Sequence, residues 1–303
     1  MAPRTKALIT GGAGFIGSHL AEKLQSICKV IVLDDLSSGN LENLNGIDCE
    51  FIEGSILNRD LVEEAVEGCS RVFHLAAMVS VAESMKAPRE CLEQNVSGLL
   101  NVLDACVKYS VGKLVFASSA AVYGNTPQTP KAENQLPAPE SPYAITKLDG
   151  EHYLEIYRKV HGLKSAAPRF FNVYGPRQNP AGDYAAAVPI FFEKALANQT
   201  ITVFGDGEQT RDFIHVGDVV AGIQKSAEED AINGPFNLAC GGATSINDLI
   251  SRILTITGSA SQVVYSEERL GDIKHSLADI SICERFGISP TIRLREGLQT
   301  MLP

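Results

Sequence analysis

The stretch Lys6-Ala-Leu-Ile-Thr-Gly-Gly-Ala-Gly-Phe-Ile-Gly17 decides the fold. Its first five residues are an apolar run that predicts a buried strand, and residues 14–25 predict a helix. Glycines at such a turn let backbone N–H groups approach a pyrophosphate at the helix N-terminus. The spacing G-x-x-G-x-x-G differs from the common G-x-G-x-x-G fingerprint, but its position between a strand and a helix indicates a dinucleotide site at Gly11, Gly14 and Gly17.

Apolar runs alternate with helical patterns through the first half of the chain. Strands are predicted at 30–33, 51–52, 72–75 and 114–117, and helices at 60–66, 90–109 and 143–161. This alternation predicts an α/β fold with a doubly wound, parallel, Rossmann-type sheet. After residue 169 the pattern changes to a strand-to-loop run at 170–175, a helix at 184–197, and then short strands and loops.

The change after residue 169 predicts a second, smaller α/β lobe for the substrate. We expect residues 1–172, completed by part of 212–240, to form the dinucleotide-binding domain, and residues 173–303 to form the substrate lobe. Ligands of open α/β sheets bind at the carboxyl ends of the strands, so the lobe is expected there.

Composition excludes several classes of protein. The chain has 303 residues, of which 45% are hydrophobic and 20% charged, with a net charge of -10, which is unlike the basic surface of a nucleic-acid-binding protein. Seven scattered cysteines without a C-x-x-C pair predict neither a disulfide framework nor a metal site, and reduced thiols indicate the cytoplasm. The sequence shows no signal peptide and no apolar run of ~18 residues, so we expect no membrane association. His74 and His215 lie in apolar segments and are expected to be satisfied structural histidines.

Asp34 follows the strand predicted at 30–33. A carboxylate at the end of the second strand typically binds the adenosine ribose of a dinucleotide, and it would repel a 2'-phosphate. Asp34 therefore favours NAD over NADP.

Tyr143 and Lys147 are four positions apart, so both side chains share one face of the predicted helix. A phenol beside an ammonium group can move the proton of a substrate hydroxyl. Tyrosine has an ordinary pKa of about 10, and we expect Lys147 and a positively charged nicotinamide to lower it. Ser118 and Ser119 end an earlier strand, and a serine hydroxyl there can bridge the phenol and the substrate. Such a Tyr-Lys pair also occurs on solvated helix faces, which is the alternative.

Taken together, these motifs resemble the extended short-chain dehydrogenase/reductases, and among them the UDP-hexose 4-epimerases. The resemblance covers essentially the whole chain. It rests on T-G-G-A-G-F-I-G (10–17), L-D-D-L-S-S-G (33–39), H-L-A-A (74–77), S-S-A-A-V-Y-G (118–124), S-P-Y-A-I-T-K (141–147), R-F-F-N-V-Y-G-P-R (169–177), G-D-G-E-Q-T-R-D-F (205–213) and R-L-G-D-I-K-H-S-L-A-D (269–279).

The resemblance implies a role for each matching residue. It assigns binding of NAD to Gly11, Gly14, Phe15, Ile16, Gly17, Asp34, Asp35, Ser37, Gly39, Asn40, Ser55, Ile56, Leu75, Ala76, Ala77, Asn95, Ser118, Tyr143 and Lys147. It assigns catalysis to Ser119, Tyr143 and Lys147. It assigns binding of the UDP-sugar to Ser119, Asn172, Val188, Phe204, Arg211, Arg269, Asp272 and Ser276. Ser55 departs from the family, which has an aspartate there. From the residues alone, Arg211 and Arg269 suit a diphosphate, and surface ion pairs are the alternative.

The residues after Ser119 choose among the family's reactions. Sugar dehydratases of the family carry Asp-Glu where this chain has Ala120-Ala121, and decarboxylases usually keep a glutamate at the second position. Methyl groups move no protons, so we expect 4-epimerisation through a transient 4-keto sugar. The alternatives are a UDP-glucuronate 4-epimerase, another nucleotide-sugar dehydratase or reductase, or a non-catalytic NAD-sensing protein.

Ser276 indicates which sugars the enzyme is expected to accept. Epimerases restricted to glucose and galactose resemble this motif but carry a tyrosine at that position, so the serine predicts room for an acetamido group. We therefore expect UDP-GlcNAc and UDP-GalNAc as substrates beside UDP-Glc and UDP-Gal. Alternatively, Ser276 only caps a turn before Asp279.

The resemblance also implies a homodimer, in which the helices predicted at 90–109 and 143–161 pair with their copies as a four-helix bundle. The apolar residues considered for it are Leu92, Val96, Leu99, Leu103, Cys106, Leu148, Tyr153, Leu154 and Tyr157. Part of this apolar surface must face the sheet, and packing in the core explains much of it.

Overall fold

The computed structural model describes residues 5–180, 186–268 and 274–303. The chain folds into two compact units. The first contains residues up to 122 together with 139–170 and 220–236, and the second contains 123–138, 171–219 and the residues from 237 onward.

Strands and helices follow one another along the whole chain. The strands are β1 (Lys6–Thr10), β2 (Lys29–Asp34), β3 (Cys49–Glu53), β4 (Cys69–His74), β5 (Lys113–Phe116), β6 (Ser118–Ser119), β7 (Ser165–Phe170), β8 (Asn172–Tyr174), β9 (Ile201–Phe204), β10 (Thr210–Arg211), β11 (Phe213–His215), β12 (Gly234–Leu238), β13 (Thr244–Ser245) and β14 (Val263–Ser266). The helices are α1 (Phe15–Leu24), α2 (Arg59–Val66), α3 (Val81–Lys86), α4 (Pro88–Leu92), α5 (Gly98–Lys108), α6 (Pro142–His161), α7 (Ala187–Leu196), α8 (Val216–Glu228), α9 (Ile246–Thr257), α10 (Ser281–Arg285) and α11 (Leu294–Gln299).

The first unit is built on an eight-stranded sheet of order β3-β2-β1-β4-β5-β7-β12, with β6 paired to β7. Pairing is parallel from β3 through β7. The register sets Thr10 opposite both Leu33 and His74, so the carboxyl ends of three central strands meet at one edge. The predicted doubly wound parallel sheet is confirmed.

Apolar helix faces cover the sheet and form the core of the first unit. Leu99, Leu103 and Cys106 of α5 are completely buried in this core, beside Leu154 of α6. These four residues are among those considered for the dimer, and they belong to the part of that surface expected to face the sheet. The helix predicted at 90–109 is divided into α4, a π-helical turn at Glu93–Ser97, and α5.

The second unit has its own core, in which α7 packs on α9. β8 pairs with β11 and β9 with β14, both in parallel, and β10 pairs antiparallel with β13. We expected only short strands and loops after residue 197, and this is wrong, because α8 and α9 are long helices with buried apolar faces.

Residues 123–138 lie inside the predicted dinucleotide domain but belong to the second unit. The cause is a set of hydrogen bonds made by Asn237. Its side-chain amide accepts from Tyr123 Oη at 2.6 Å and donates to the carbonyl oxygens of Lys131 and Asp279 at 2.8 and 3.0 Å.

Among the described residues, no helix combines the length and the apolar character needed to cross a membrane. All seven cysteines are free thiols.

Candidate active site

The glycine turn after β1 has the shape that a phosphate cradle needs. Gly11 has a φ of 72°, and a Cβ there would lie 2.6 Å from the amide nitrogen of Ala76. A Cβ on Gly17 would lie 2.2 Å from the carbonyl oxygen of Gly11. Helix α1 begins directly after Gly14 without a side-chain cap, so the amides of Phe15 and Ile16 in its first turn are available to an anion. The turn therefore fits the diphosphate of NAD.

Asp34 ends β2 beside this turn. Its Oδ2 accepts a hydrogen bond from the amide of Ala13 at 2.9 Å, and its Oδ1 accepts one from the amide of Leu36 at 2.9 Å. Burial raises the pKa of this carboxyl group, and the two hydrogen bonds oppose that effect. A Cβ on Gly39 would lie 2.9 Å from Oδ1, so a glycine is needed there. The structure thus brings the predicted Asp34 and Gly39 together with the glycine turn.

The loop that follows Asp34 is tied to itself and to the glycine turn. Ser37 Oγ donates to Asp35 Oδ1 at 2.6 Å. The amide of Asn40 donates to the carbonyl oxygen of Ala13 at 3.0 Å, and its side chain accepts from the amide of Glu42.

The other predicted NAD residues follow β3 and β4. The amides of Leu75 and Ala76 donate to the backbone oxygen and to Oγ1 of Thr10 at 3.0 and 3.3 Å, and Ala77 is next on that loop. Ser55 Oγ accepts from the amide of Leu57 at 3.2 Å. Ile56 is buried in the core, so its side chain is unavailable to a cofactor and only its backbone could make the predicted contact.

Ser118 and Ser119 differ in what their hydroxyls bind. Ser118 is buried, and its Oγ donates to Glu151 Oε1 at 2.5 Å. Glu151 in turn forms a buried ion pair with Arg169 at 2.7 Å. The hydrogen of the Ser118 hydroxyl is thus used on Glu151, so its oxygen can take part in the predicted NAD contact only as an acceptor. Ser119 Oγ accepts from the amide of Ala121 at 3.1 Å, and the Ser119 hydroxyl lies close enough to the Tyr143 phenol to act against the rise of its pKa.

Tyr143 and Lys147 lie in the first turns of α6. Lys147 is 3% exposed, and its Nζ lies 4.9 Å from the ring centre of Phe116 and 5.7 Å from that of Tyr143. Burial lowers the pKa of Lys147 to about 8. The structure therefore brings the three predicted catalytic residues, Ser119, Tyr143 and Lys147, together.

The pKa of Tyr143 departs from the expectation. Burial raises it, although the hydrogen bond with Ser119 acts in the opposite direction. We expected Lys147 to lower it, and this is wrong for the protein by itself, because removing the phenolate from water outweighs the favourable contacts. The effect of a bound nicotinamide stays a prediction.

Asn95 links the loop after β4 to α6. Its Oδ1 accepts from the amide of Met78 at 2.7 Å, and its Nδ2 donates to Met78 O and to Thr146 Oγ1, both at 3.0 Å. Thr146 Oγ1 donates to the carbonyl oxygen of Tyr143 at 2.8 Å. We predicted that Asn95 lines NAD, whereas the structure shows its amide bound to protein atoms.

His74 is only half satisfied. Its Nδ1 lies 2.8 Å from Thr10 Oγ1, and its ring stacks on Phe116 with 5.9 Å between centroids. Nε2 is buried and has no hydrogen-bond partner among the described residues. Burial lowers the pKa of His74 to about 3, so the ring is neutral. Our expectation of a satisfied histidine is wrong for this nitrogen.

In the second unit, the segment at 210–212 gathers three of the predicted substrate residues. The backbone and side-chain amides of Asn172 donate to Asp212 O at 3.1 and 3.2 Å. The amide of Ser276 donates to Thr210 O at 3.1 Å, which sets Ser276 beside Arg211. No hydrogen bond of the Ser276 hydroxyl is found within the described parts of the chain, which does not support a turn-capping role.

The remaining predicted substrate residues are more dispersed. Phe204 ends β9 and is half-buried. The side chain of Val188 is buried in the core of its unit, so only its first-turn amide in α7 could serve a ligand. Arg269 and Asp272 lie outside the described residues.

The chain is similar in sequence and in structure to several known proteins. The chain is 38% identical to the UDP-glucose 4-epimerase of Mycolicibacterium smegmatis, over 97% of this chain and 96% of that protein. Two solved structures are each 39% identical. A UDP-N-acetylglucosamine 4-epimerase from Methanobrevibacter ruminantium, in complex with UDP-N-acetylmuramic acid, has a TM-score of 0.95 over 99% of this chain and 97% of that one. A UDP-glucose 4-epimerase from Thermotoga maritima, with UDP-glucose, has a TM-score of 0.93 over 98% and 97%.

The family profile of the NAD dependent epimerases and dehydratases matches residues 7–239. The predictions of an enzyme of the isomerase class and of NAD as its cofactor are confirmed. The chain belongs to the NAD dependent epimerase/dehydratase family.

Proposed function

We propose that the protein is a 4-epimerase of UDP-hexoses that works through a transient 4-keto sugar with bound NAD. The observation that carries this proposal is the arrangement of Ser119, Tyr143 and Lys147 in the first unit, next to a turn that fits a dinucleotide. The names of the relatives support the same reaction.

Each of the three residues has a distinct task. Ser119 hydrogen-bonds the Tyr143 phenol and so aligns it for proton exchange with the 4-hydroxyl of the sugar. Tyr143 takes that proton and later returns it. Lys147 supplies positive charge beside the phenol, and its buried ammonium is placed to hold the ribose next to the nicotinamide. Bound NAD supplies reversible hydride acceptance at the 4-position.

Ala120 and Ala121 support epimerisation over the sibling reactions. They follow Ser119 directly, and neither offers an acid or a base for eliminating water or for assisting decarboxylation. A UDP-glucuronate 4-epimerase or another nucleotide-sugar dehydratase or reductase is the alternative within the family. A non-catalytic NAD-sensing protein would have no use for a tyrosine beside the buried Lys147.

For the sugar, we propose that Ser276 leaves room for an acetamido group, so that UDP-GlcNAc and UDP-GalNAc are interconverted as well as UDP-Glc and UDP-Gal. The position of Ser276 beside Arg211 supports a ligand-facing role. Gly14, Phe15, Ile16 and Asp34 remain the proposed NAD contacts, and Asn172, Arg211 and Phe204 the proposed UDP contacts.

The test is incubation of the purified protein with these four UDP-sugars, each alone, followed by chromatographic separation of the products. The proposal expects each sugar to yield its 4-epimer. Absence of all four conversions contradicts it.

We also propose a homodimer, formed by the exposed apolar residues of α4 and α6, and a cytoplasmic location. Leu92 is 54% exposed and Ile145 47%. They lie in the segments that the resemblance implies for a four-helix bundle. Seven free thiols fit a reducing compartment.

A further inference from the structure

The start of helix α6 leaves one backbone group that the helix cannot satisfy by itself. Ser141 is the N-cap, and its Oγ accepts from the amide of Ala144 at 3.1 Å. Pro142 has no N–H group. Tyr143 is the next residue, and its amide lies too near the helix start to find a partner within the helix. This amide belongs to the residue to which the proposed function assigns proton transfer.

Ser84 of α3 satisfies this amide from elsewhere in the sequence. The amide of Tyr143 donates to Ser84 Oγ at 3.2 Å, across 59 positions of the chain. Ser84 is completely buried, and its hydroxyl donates to the carbonyl oxygen of Val81 at 2.6 Å. A serine hydroxyl has one hydrogen and two lone pairs. Because the hydrogen is used on Val81, the hydroxyl is oriented to accept from Tyr143.

The carbonyl side of Tyr143 is held as well, by Thr146 Oγ1 at 2.8 Å. The backbone of Tyr143 is thus hydrogen-bonded on both sides. Of these two bonds, the one to Ser84 comes from outside α6. It ties the first turn of α6, which carries the Tyr143 phenol, to α3.

We propose that Ser84 is a positioning residue for Tyr143, acting through the backbone amide and not through contact with the substrate. The proposal rests on the proposed function, which makes Tyr143 the acid/base. Loss of the Ser84 acceptor frees the first turn of α6 to shift. A misplacement of about 1 Å in a reacting group can lower a rate by up to about 100-fold.

The main variant is Ser84→Ala, studied in the NAD-loaded protein. We expect kcat to fall by roughly one order of magnitude while KM for the UDP-sugar changes less than about two-fold. We also expect the Tyr143 phenol to titrate at higher pH, because the hydrogen bond with Ser119 is what opposes the effect of burial. The phenol is followed by tyrosinate absorbance, as the difference from Tyr143→Phe.

The matched control is Ser80→Ala. Ser80 Oγ accepts from the amide of Glu83 and caps the same short helix, α3, without touching Tyr143. This variant loses a bond of the same kind and is expected to keep the kcat and the phenol titration of the wild type.

A double-mutant cycle separates positioning from general damage. If Ser84 acts through the phenol, Ser84→Ala adds no further loss in the Tyr143→Phe background. An equal loss in both backgrounds, or a wild-type kcat and phenol titration in Ser84→Ala, overturns the proposal.

Should Ser84→Ala not fold, Ser84→Cys keeps the shape with a weaker acceptor and is expected to lower kcat in the same direction. A wild-type kcat in that variant overturns the proposal equally. If the wild type converts no UDP-sugar, the proposed function fails, whereas the phenol titration still tests the role of Ser84.

Discussion

The ammonium nitrogen of Lys147 lies 5.7 Å from the centre of the Tyr143 ring, and both side chains come from one face of α6. This relationship supports the proposal that Tyr143 exchanges a proton with the substrate, with Ser119 beside its phenol. Burial in this site raises the pKa of Tyr143 and lowers the pKa of Lys147.

Tyr143→Phe is expected to lower kcat by at least ~100-fold, the lower range for loss of a positioned acid/base group. Ser119→Ala is expected to cost less if water replaces its hydroxyl. Steady-state kinetics with UDP-galactose measures both. Circular dichroism verifies the fold, and near-normal turnover in folded Tyr143→Phe would rule out the mechanism.

Ser276→Tyr is expected to abolish turnover of UDP-GalNAc while sparing UDP-Gal, because the tyrosine side chain fills the space proposed for the acetamido group. Ser276→Ala is the control, since it removes the hydroxyl but not the space, and it should keep both activities. The two rates are compared by chromatography of the products. Wild-type protein that converts UDP-Gal and leaves UDP-GalNAc untouched would refute the size argument.

The buried Lys113 is expected to make the free energy of unfolding depend on pH. Its side chain is fully buried and donates to the carbonyl oxygens of Glu229 and Ile232 at 2.6 and 2.7 Å, and burial lowers its pKa to about 8. An unfolded lysine has a pKa of about 10.4. Between these values the unfolded chain holds a proton that the folded chain has released. The contribution of Lys113 to the free energy of unfolding therefore rises with pH across this window, and is least favourable below pH 8.

Urea unfolding of the wild type and Lys113→Met at several pH values checks this. The difference between the two free energies should move in favour of the wild type from about pH 8 to pH 10. Lys164→Met is the control, because Lys164 is exposed and binds Asp230, which lies in the same loop as Glu229 and Ile232. An identical pH trend in both variants would contradict the assignment to Lys113.

The dimer is tested by light scattering at micromolar concentration, where the wild type should have twice the mass of the chain. Leu92→Glu combined with Ile145→Glu places charges on the proposed apolar surface and should yield monomers. Leu196→Glu, an exposed apolar position on α7, should leave the mass unchanged. A monomeric wild type would exclude the proposed interface.

Sequence reasoning identified the strands of the sheet where local signals were strong. β1 and β2 are apolar runs bordered by glycines or aspartates, and their bounds agree with the expectation to within a residue. β7 was not found, because Ser-Ala-Ala-Pro-Arg-Phe contains no β-branched residue and includes a proline. It forms a strand because β5 pairs with it.

Helix α9 of the second unit was missed for a different reason. Ile246, Leu249, Ile250 and Ile253 repeat with helical spacing behind the N-cap Ser245, and all four are buried in α9. The sequence therefore carries this helix signal, and only our interpretation as short strands and loops was wrong.

Site residues could be predicted from the sequence where a single motif identifies both the residue and its position in the fold, as with Gly11, Asp34 and Tyr143. It was not predictable where the partner is remote in sequence. Nothing local connects Ser84 to Tyr143, or Asn95 to Thr146, and these contacts follow from the packing of α3 and the π-helical turn against α6. The raised pKa of Tyr143 likewise depends on burial, which the sequence does not display.

The most direct test of the proposed 4-epimerisation is the identity of the product formed from UDP-galactose, by mass spectrometry and proton NMR. The account predicts a product of unchanged mass with the opposite configuration at C4, namely UDP-glucose, and no net release of NADH. A product lighter by one water, a stoichiometric release of NADH, or unchanged UDP-galactose would contradict it.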